Sequence, residues 1–336
     1  MNSEQTSRRG FLMRGAAVVS GLAMVRGFAA TTPAAPTPAA PTPASGSPAA
    51  PGGLSAAAAG TLRVGDRTVN RLGFGAMRIT GEGIWGEPRD HAEALAVLRR
   101  AIGLGTNFID TADAYGPYVS ELLIREALHP YPPDLLIATK GGLVRPSASA
   151  WVSDGRPAHL REACEASLKR LDIEQIALYQ FHRPDPKVPF EDSVGELARL
   201  QREGKIRDIG LSNVDVRQLA AARALVRVVS VQNRYNVADR DSDEVLGVCE
   251  RDGIAFLPWA PLAEREQGTA TDPRIEALAA IARERKIDMP QAALAWLLAR
   301  SPAMLPIPGT SRVAHLEDNV AAAAVHLSRE EMQRVG

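Results

Sequence analysis

The chain runs to 336 residues, 45% hydrophobic and 23% charged, with 39 basic and 39 acidic side chains. That balance leaves no basic face for nucleic acid. Cys164 and Cys249 are too far apart to read as a metal pair, no disulfide framework supports the fold, and the scattered histidines include no HxH or HExxH pair, so no metal is expected.

The N-terminus carries Ser7-Arg8-Arg9-Gly10-Phe11-Leu12, followed by a short apolar run over residues 15–30. Paired arginines ahead of such a run predict a twin-arginine export signal over residues 1–30, with the translocation machinery as partner and a periplasmic destination. A membrane anchor is the alternative. Arg26 breaks the run well short of the ~20 apolar residues that a spanning helix needs, so no stable anchor is expected. Residues 31–60 are almost entirely Ala, Pro, Thr, Ser and Gly and carry no charge. Such a segment cannot bury enough apolar surface to offset its chain entropy, which predicts a disordered linker. Removing residues 1–60 takes away Arg8, Arg9, Arg14, Arg26 and Glu4 and leaves a net charge of about −3. Residues 61–336 suffice for one large domain.

That domain opens with a hairpin over 62–69, turning at Gly65-Asp66, and then alternates strands with helices. Strands are predicted at 72–76, 107–109, 135–139, 176–181, 206–210, 228–232, 254–258 and 304–307. Several are short and nearly continuous in apolar residues, as parallel strands covered on both faces are. Between them Leu95, Leu98 and Ile102 form a helical stripe that ends at Gly103 and Gly105. Leu160, Cys164, Leu168 and Leu171 form another after Pro157, a good first-turn residue, and place the Cys164 thiol in the interior. Eight strand–helix units predict a (β/α)8 barrel behind a short N-terminal hairpin. An open doubly wound sheet competes, but no strand–GxGxxG–helix unit occurs, since Gly73-Phe74-Gly75 lacks the third glycine.

Active-site residues of such a barrel lie at the carboxyl ends of its strands. Asp110 ends the second predicted strand, with Tyr115 in the loop beyond; Lys140 ends the third and His182 the fourth. Hydride arriving at a carbonyl carbon leaves negative charge on oxygen, which calls for a proton donor. A phenol is a weak acid at neutral pH, and a nearby ammonium lowers its pKa. Lys140 supplies that charge in this reading, Asp110 holds the lysine, and a His182 N–H orients the carbonyl oxygen. Each residue alone also fits a plain role: Asp110 a cap, Tyr115 a surface ring, Lys140 a solvated charge, His182 a packed imidazole. Their shared placement after successive strands is what points to a site.

With these residues in view, the chain resembles the aldo-keto reductases over residues 61–336. The match runs through the Asp110/Tyr115 loop, Lys140 and His182, then Gly210-Leu211-Ser212-Asn213, Gln232-Asn233, Pro258-Trp259-Ala260-Pro261-Leu262 and Ile307-Pro308-Gly309-Thr310-Ser311-Arg312. The resemblance implies an intact catalytic tetrad of Asp110, Tyr115, Lys140 and His182 and a carbonyl reductase that uses NADP(H). It further implies that Ser212, Asn213 and Gln232 bind the nicotinamide carboxamide, that Trp259 stacks on the ring, and that Ala260 and Leu262 follow the pyrophosphate. Gly75 and Met77 join them at the first strand's end, and Trp259 also fits as a core residue. Ser212-Asn213 fits equally as a cap for the next helix.

The segment Pro308, Gly309, Thr310, Ser311 precedes a helix whose N-terminus suits the adenosine 2′-phosphate, with Arg312 as its cation and Asp318 and Asn319 toward adenine. Gly309 and His315 stand where relatives often carry Lys or Arg and Arg, so Arg312 carries most of the case for NADP(H). The loop 82–90 and the segment 309–316 look like bacterial pyridoxal reductase-type members, and Trp85 either walls the substrate pocket or anchors its loop. The expected substrate is a small carbonyl compound. A nucleotide-occupied redox-sensing or partner subunit with slow turnover is the alternative, motivated by export to a compartment without evident NADPH supply.

Overall fold

The computed structural model describes residues 53–261 and 272–336. The expected export signal, the linker up to residue 52, and Leu262 lie outside the described residues. The end of the expected linker joins the fold. Ser55 caps a short 3-10 turn, Ala56–Ala59, whose Ala56 is fully buried and donates its N–H to Leu104 O at 2.8 Å. Methyl side chains are small enough to pack beside Leu72 and Ala323 there.

β1 (Thr61–Val64) and β2 (Arg67–Asn70) form the predicted hairpin, with Gly65 at φ 61° in its turn. Then come β3 (Phe74–Gly75), α1 (His91–Gly103), β4 (Phe108–Asp110), α2 (Val119–Leu128) and β5 (Leu136–Gly141). A second hairpin, β6 (Leu143–Ser147) with β7 (Ala150–Ser153), was not foreseen from the sequence. The alternation resumes with α3 (Pro157–Leu171), β8 (Ile176–Phe181), α4 (Phe190–Arg202) and β9 (Ile206–Ser212). It continues through α5 (Val216–Arg223), β10 (Val228–Arg234), α6 (Asp243–Asp252) and β11 (Ala255–Trp259). α7 (Pro273–Arg285), α8 (Met289–Arg300), α9 (Val313–Ala321) and α10 (Arg329–Val335) complete the helical coat.

Seven parallel strands pair in the order β11-β10-β9-β8-β5-β4-β3. Residues 303–308 close them into a barrel, but not as the regular eighth strand expected at 304–307. Pro306 and Pro308 lack N–H groups, so a full ladder cannot form. Leu305 N–H donates to Phe256 O at 2.8 Å on one side. On the other, Gly73 and Gly75 N–H donate to the carbonyls of Pro306 and Pro308 at 2.9 and 3.2 Å.

The barrel interior is packed by Leu136, Leu178, Val229 and Leu257 together with Val64 and Val69 from the hairpin. A Cβ at Gly65 would lie 2.6 Å from the carboxylate of Asp208, which places that hairpin over the amino ends of the strands. The opposite rim is left for the site. Helices turn their apolar stripes inward: Leu98, Leu160, Cys164 and Leu171 are fully buried. Burial pushes the thiols of Cys164 and Cys249 up to about 12, as befits inert core cysteines. Among the described residues no helix is long and apolar enough to cross a membrane, and no His/Cys/Asp/Glu group suits a metal.

Candidate active site

β4, β5, β8 and β9 end side by side, with β11 one strand beyond β10, and deliver Asp110, Lys140, His182, Ser212 and Trp259 to one rim. Lys140 is fully buried, and its three N–H bonds are all spent: on Asp110 Oδ1 at 2.6 Å, Thr111 O at 2.9 Å and the Tyr115 hydroxyl at 3.2 Å. The phenol oxygen therefore accepts from the lysine, and its own proton remains free to be given elsewhere. The other oxygen of Asp110 accepts from Gln180 Nε2 at 2.9 Å and Gln232 Nε2 at 2.8 Å. This carboxylate thus has a cation on one oxygen and two amide donors on the other. Asp110 is thus no helix cap, and Lys140 is no solvated charge.

Burial works against the charge on Lys140, yet Asp110 and Tyr115 hold its pKa above the ordinary lysine value. Tyr115 behaves differently from the expectation of a lowered pKa. Burial raises it, Lys140 pulls it down, Asp110 raises it again, and the net direction is upward. The aspartate offsets much of the field the lysine alone would exert. His182 stands edge-on to the Tyr115 ring, with centroids 5.9 Å apart. Burial, then the charges of Lys140 and Arg183, hold its pKa well below the usual histidine value, so the imidazole is neutral. Its buried Nδ1 has no hydrogen-bond partner among the described residues. A phenol O–H and a neutral imidazole are thus neighbours at this rim.

Asn213 ties the neighbouring strand ends together. At φ 58°, its Nδ2 donates to His182 O and Ser212 Oγ, each at 3.0 Å, and its Oδ1 accepts from Trp259 Nε1 at 3.0 Å. The capping role weighed for Ser212-Asn213 belongs instead to Asp215, which forms a capping box with Gln218. Trp259 is half-buried, with the Arg234 guanidinium 5.6 Å from its ring centre. Gln232 turns its amide nitrogen to Asp110 at 2.8 Å. Ala260 adopts φ 50°, and its carbonyl accepts from Asn236 Nδ2 at 3.1 Å.

Gly75 and the segment Pro308–Gly309 meet at the seam of the barrel, and Met77 follows two residues beyond Gly75. A Cβ on Gly75 would lie 2.6 Å from Ile307 O, and one on Gly309 would lie 2.5 Å from Gly75 O. A side chain at residue 309 would press on that backbone oxygen. Met77 is half-buried, its carbonyl accepting from Thr80 Oγ1 at 3.0 Å. Beyond the seam, Thr310 is buried and its Oγ1 accepts from Arg312 N–H at 3.2 Å. Ser311 and Arg312 are exposed, Asp318 is exposed on α9, and Asn319 is buried there.

Three residues escaped the sequence reading. Gln180 sits two residues before His182, and period-two geometry puts both side chains on the barrel's inner face. Trp151 meets the Tyr115 ring at 6.4 Å from the unforeseen β6–β7 hairpin. Arg145 of the same hairpin stacks on Trp151 at 3.6 Å and lies 5.5 Å from the Trp85 ring, which is 37% exposed. Trp85 is thus linked through Arg145 to the Trp151 ring that meets Tyr115.

The model of the Aldo/keto reductase family matches residues 71–336. An uncharacterized oxidoreductase of Schizosaccharomyces pombe is 51% identical over 280 residues, covering 82% of this chain and 89% of its own. The pyridoxine 4-dehydrogenase of Escherichia coli is 43% identical over 279 residues, covering 81% and 96%. Among solved structures, an aldo-keto reductase of Klebsiella pneumoniae in complex with NADPH matches with a TM-score of 0.69 at 27% identity, covering 82% of this chain and 93% of that one.

Proposed function

The chain belongs to the aldo/keto reductase family, and from that premise we propose that it reduces aldehydes or ketones to alcohols, with NADP(H) as hydride donor and Tyr115 as the acid. The observation that carries this reading is the buried relay Asp110–Lys140–Tyr115, with distances of 2.6 and 3.2 Å. The half-buried Trp259 and the polar Ser212–Asn213 pair beside it fit a nicotinamide ring, and NADP-bound relatives support that cofactor. When bound, the nicotinamide supplies the hydride. Tyr115 keeps its proton at neutral pH because its pKa lies above the ordinary value. Lys140 donates to the phenol oxygen, which stabilises the tyrosinate left after transfer. His182, neutral, offers an N–H to the same substrate oxygen and steadies its developing charge. Trp85 and Trp151 wall the pocket with aromatic faces that suit flat, pyridoxal-type aldehydes, in line with the pyridoxine 4-dehydrogenase relative.

The test is Tyr115→Phe assayed on an aldehyde panel. Turnover falls by about 10²–10⁴-fold with nucleotide binding retained, as loss of a positioned acid requires; undiminished reduction sinks the mechanism. The N-terminal reading forms part of the same proposal: residues 1–30 direct export of the folded, nucleotide-loaded chain. Exchanging both Arg8 and Arg9 for Lys then leaves the protein in the cytoplasm on fractionation. An intact, fully bonded relay favours an enzyme over an idle nucleotide-carrying subunit.

A further inference from the structure

Arg145 is a cation held without a counter-anion. It is 8% exposed, and its N–H groups go to the backbone carbonyls of Gly83, Ile84, Ala114, Ala148 and Ala150. Those oxygens satisfy its donors but bring no net charge. Burial lowers its pKa with no acidic neighbour to raise it, and a guanidinium stays protonated through such a shift. Its central carbon lies 3.6 Å from the centre of the Trp151 ring, which in turn is 6.4 Å from the centre of the Tyr115 ring. The charge is therefore within about 10 Å of the Tyr115 ring, the sum of those two distances. That is about the reach of a charge in 0.1 M salt.

The carboxylates around Tyr115 are engaged elsewhere. Asp110 is paired with Lys140 at 2.6 Å, and Asp154 with Arg156 at 2.6 Å. Asp185 accepts the N–H groups of Gly155 and Lys187 at 3.0 and 2.9 Å and shares its loop with the charges of Arg183 and Lys187. In the Trp85 loop Glu82 is bound to Arg89 at 2.7 Å, and Glu87 faces His91 at 3.9 Å. Asp239 is bound to Arg234 at 2.8 Å. Burial, then Glu121, raise the Asp113 pKa well above 3.8, which disfavours its charged form. On the cationic side, exposed Arg183 follows His182 and its charge reaches that imidazole, while Arg78 lies against Gly309 at the seam. Residues 262–271, with Glu264, Arg265 and Glu266, lie outside the described residues. Among the described residues, the wall around Tyr115 thus carries an excess of positive charge, centred on Arg145 and Arg183.

We propose that the site selects carbonyl compounds that carry a negative charge, with Arg145 as the specificity-determining residue. An anionic tail, carboxylate or phosphate, gains from a field that no acid in the wall cancels, and a cationic tail loses by it. The inference rests on the reductase reading above and narrows its substrate class. It concerns the substrate's tail, apart from the oxygen addressed by Tyr115 and His182.

The test compares kcat/KM, at saturating NADPH, for four benzaldehydes that differ only at the para position: the carboxylate, its neutral methyl ester, the phosphate monoester and the trimethylammonium compound. The unaltered protein prefers one or both anions over the ester by about tenfold, and the ester over the cation. Added salt, about 0.5 M NaCl, removes most of the gap. The larger of the two anion-to-ester ratios identifies the tail as carboxylate or phosphate. Arg145→Lys and Arg145→Met both lose most of the bonds that tie the loops, so each slows every substrate, but only the first keeps the charge. The anion-to-ester ratio, which cancels damage common to both substrates, survives in Arg145→Lys and falls to about one in Arg145→Met. Equal kcat/KM for all four in the unaltered protein, or an unchanged ratio in Arg145→Met, overturns the inference and leaves the reductase reading intact. Should Arg145→Met fail to fold, the ratio in the unaltered protein and its loss in salt decide the matter. Absence of turnover with all four overturns the reductase reading and this inference with it.

Discussion

Tyr115, Lys140 and Asp110 act on one another through charges that water cannot screen. In Lys140→Met the phenol loses the neighbour that most lowers its pKa, and Asp110 keeps its two amide donors but no cation. An uncompensated buried carboxylate costs about 3–5 kcal/mol, so this variant shows both a lower denaturation midpoint and a turnover reduced by about 10²-fold or more. His182 gives a pH signature of its own. Its folded pKa lies below the unfolded value of 6.5, so the unfolded chain binds the proton more readily. Stability contributed by the neutral imidazole is complete above pH 6.5 and drains as pH falls below it, by up to about 1.4 kcal/mol per pH unit. Urea midpoints at about pH 7, 6 and 5 will show that slope in the parent and its loss in His182→Gln. Asp113 titrates in the opposite sense. Burial, then the charge of Glu121, raise its folded pKa well above 3.8, and its buried Oδ1 lacks a partner among the described residues. Stability is therefore lost as pH rises through and above the unfolded value. Asp113→Asn is neutral in both states, so it gains on the parent between about pH 4 and pH 7 by about 1 kcal/mol or more; an equal difference at both pH values refutes the assignment. The four residues proposed for catalysis stand out in the chain because each lies at or beyond the end of a strand. The upward shift of Tyr115 was not legible there, since it comes first from burial of the phenol, with Asp110 then offsetting part of the pull of Lys140.

The loops above the site are organised by one guanidinium. Arg145 donates to the carbonyls of Gly83, Ile84, Ala114, Ala148 and Ala150, at 2.6 to 3.3 Å, and so joins the Trp85 loop, the Tyr115 loop and its own hairpin. Gly86 N–H to Gly116 O and Gly116 N–H to Ile84 O stitch the first two loops directly. The sequence concealed this because Pro146 and the run Ser147-Ala148-Ser149 read as loop chemistry, and the arginine has no carboxylate near it in the chain to suggest a pairing. Its acceptors are backbone oxygens, which no side-chain pattern reveals. Helix stripes were easier, because the spacing of Leu160, Cys164 and Leu171 depends only on the helix period. Arg145→Met retains the stem against Trp151 but removes all five bonds. The Trp85 loop then loosens, and KM for aromatic aldehydes rises about tenfold while nucleotide Kd stays fixed. Faster hydrogen exchange over 82–86 accompanies the change; unaltered exchange and KM would show the arginine to be a bystander.

At the scale of the whole barrel, alternation of strands and helices was visible in the sequence, but the manner of closure was not. The run 304–307 is apolar enough to read as a strand, yet its prolines accept hydrogen bonds without donating any, so the last seam is held by isolated bonds. Close backbone approach compensates, and two glycines make it possible. Gly309→Ala would place a methyl 2.5 Å from Gly75 O, a backbone atom that cannot swing aside as a flexible side chain would. The seam between β3 and the closing segment must then part by several tenths of an ångström. Overpacking of this kind costs about 1–3 kcal/mol, which for a domain this large lowers Tm by roughly 2–4 °C per kcal/mol. Gly247, inside α6, supplies the control, because a methyl added there meets no described atom within 4 Å. Gly247→Ala removes only backbone freedom from a helix and raises stability by up to about 1 kcal/mol. Thermal melts that move in opposite directions for the two alanines assign the closure of the barrel to backbone contact at its seam; a Gly309→Ala protein as stable as its parent assigns it elsewhere.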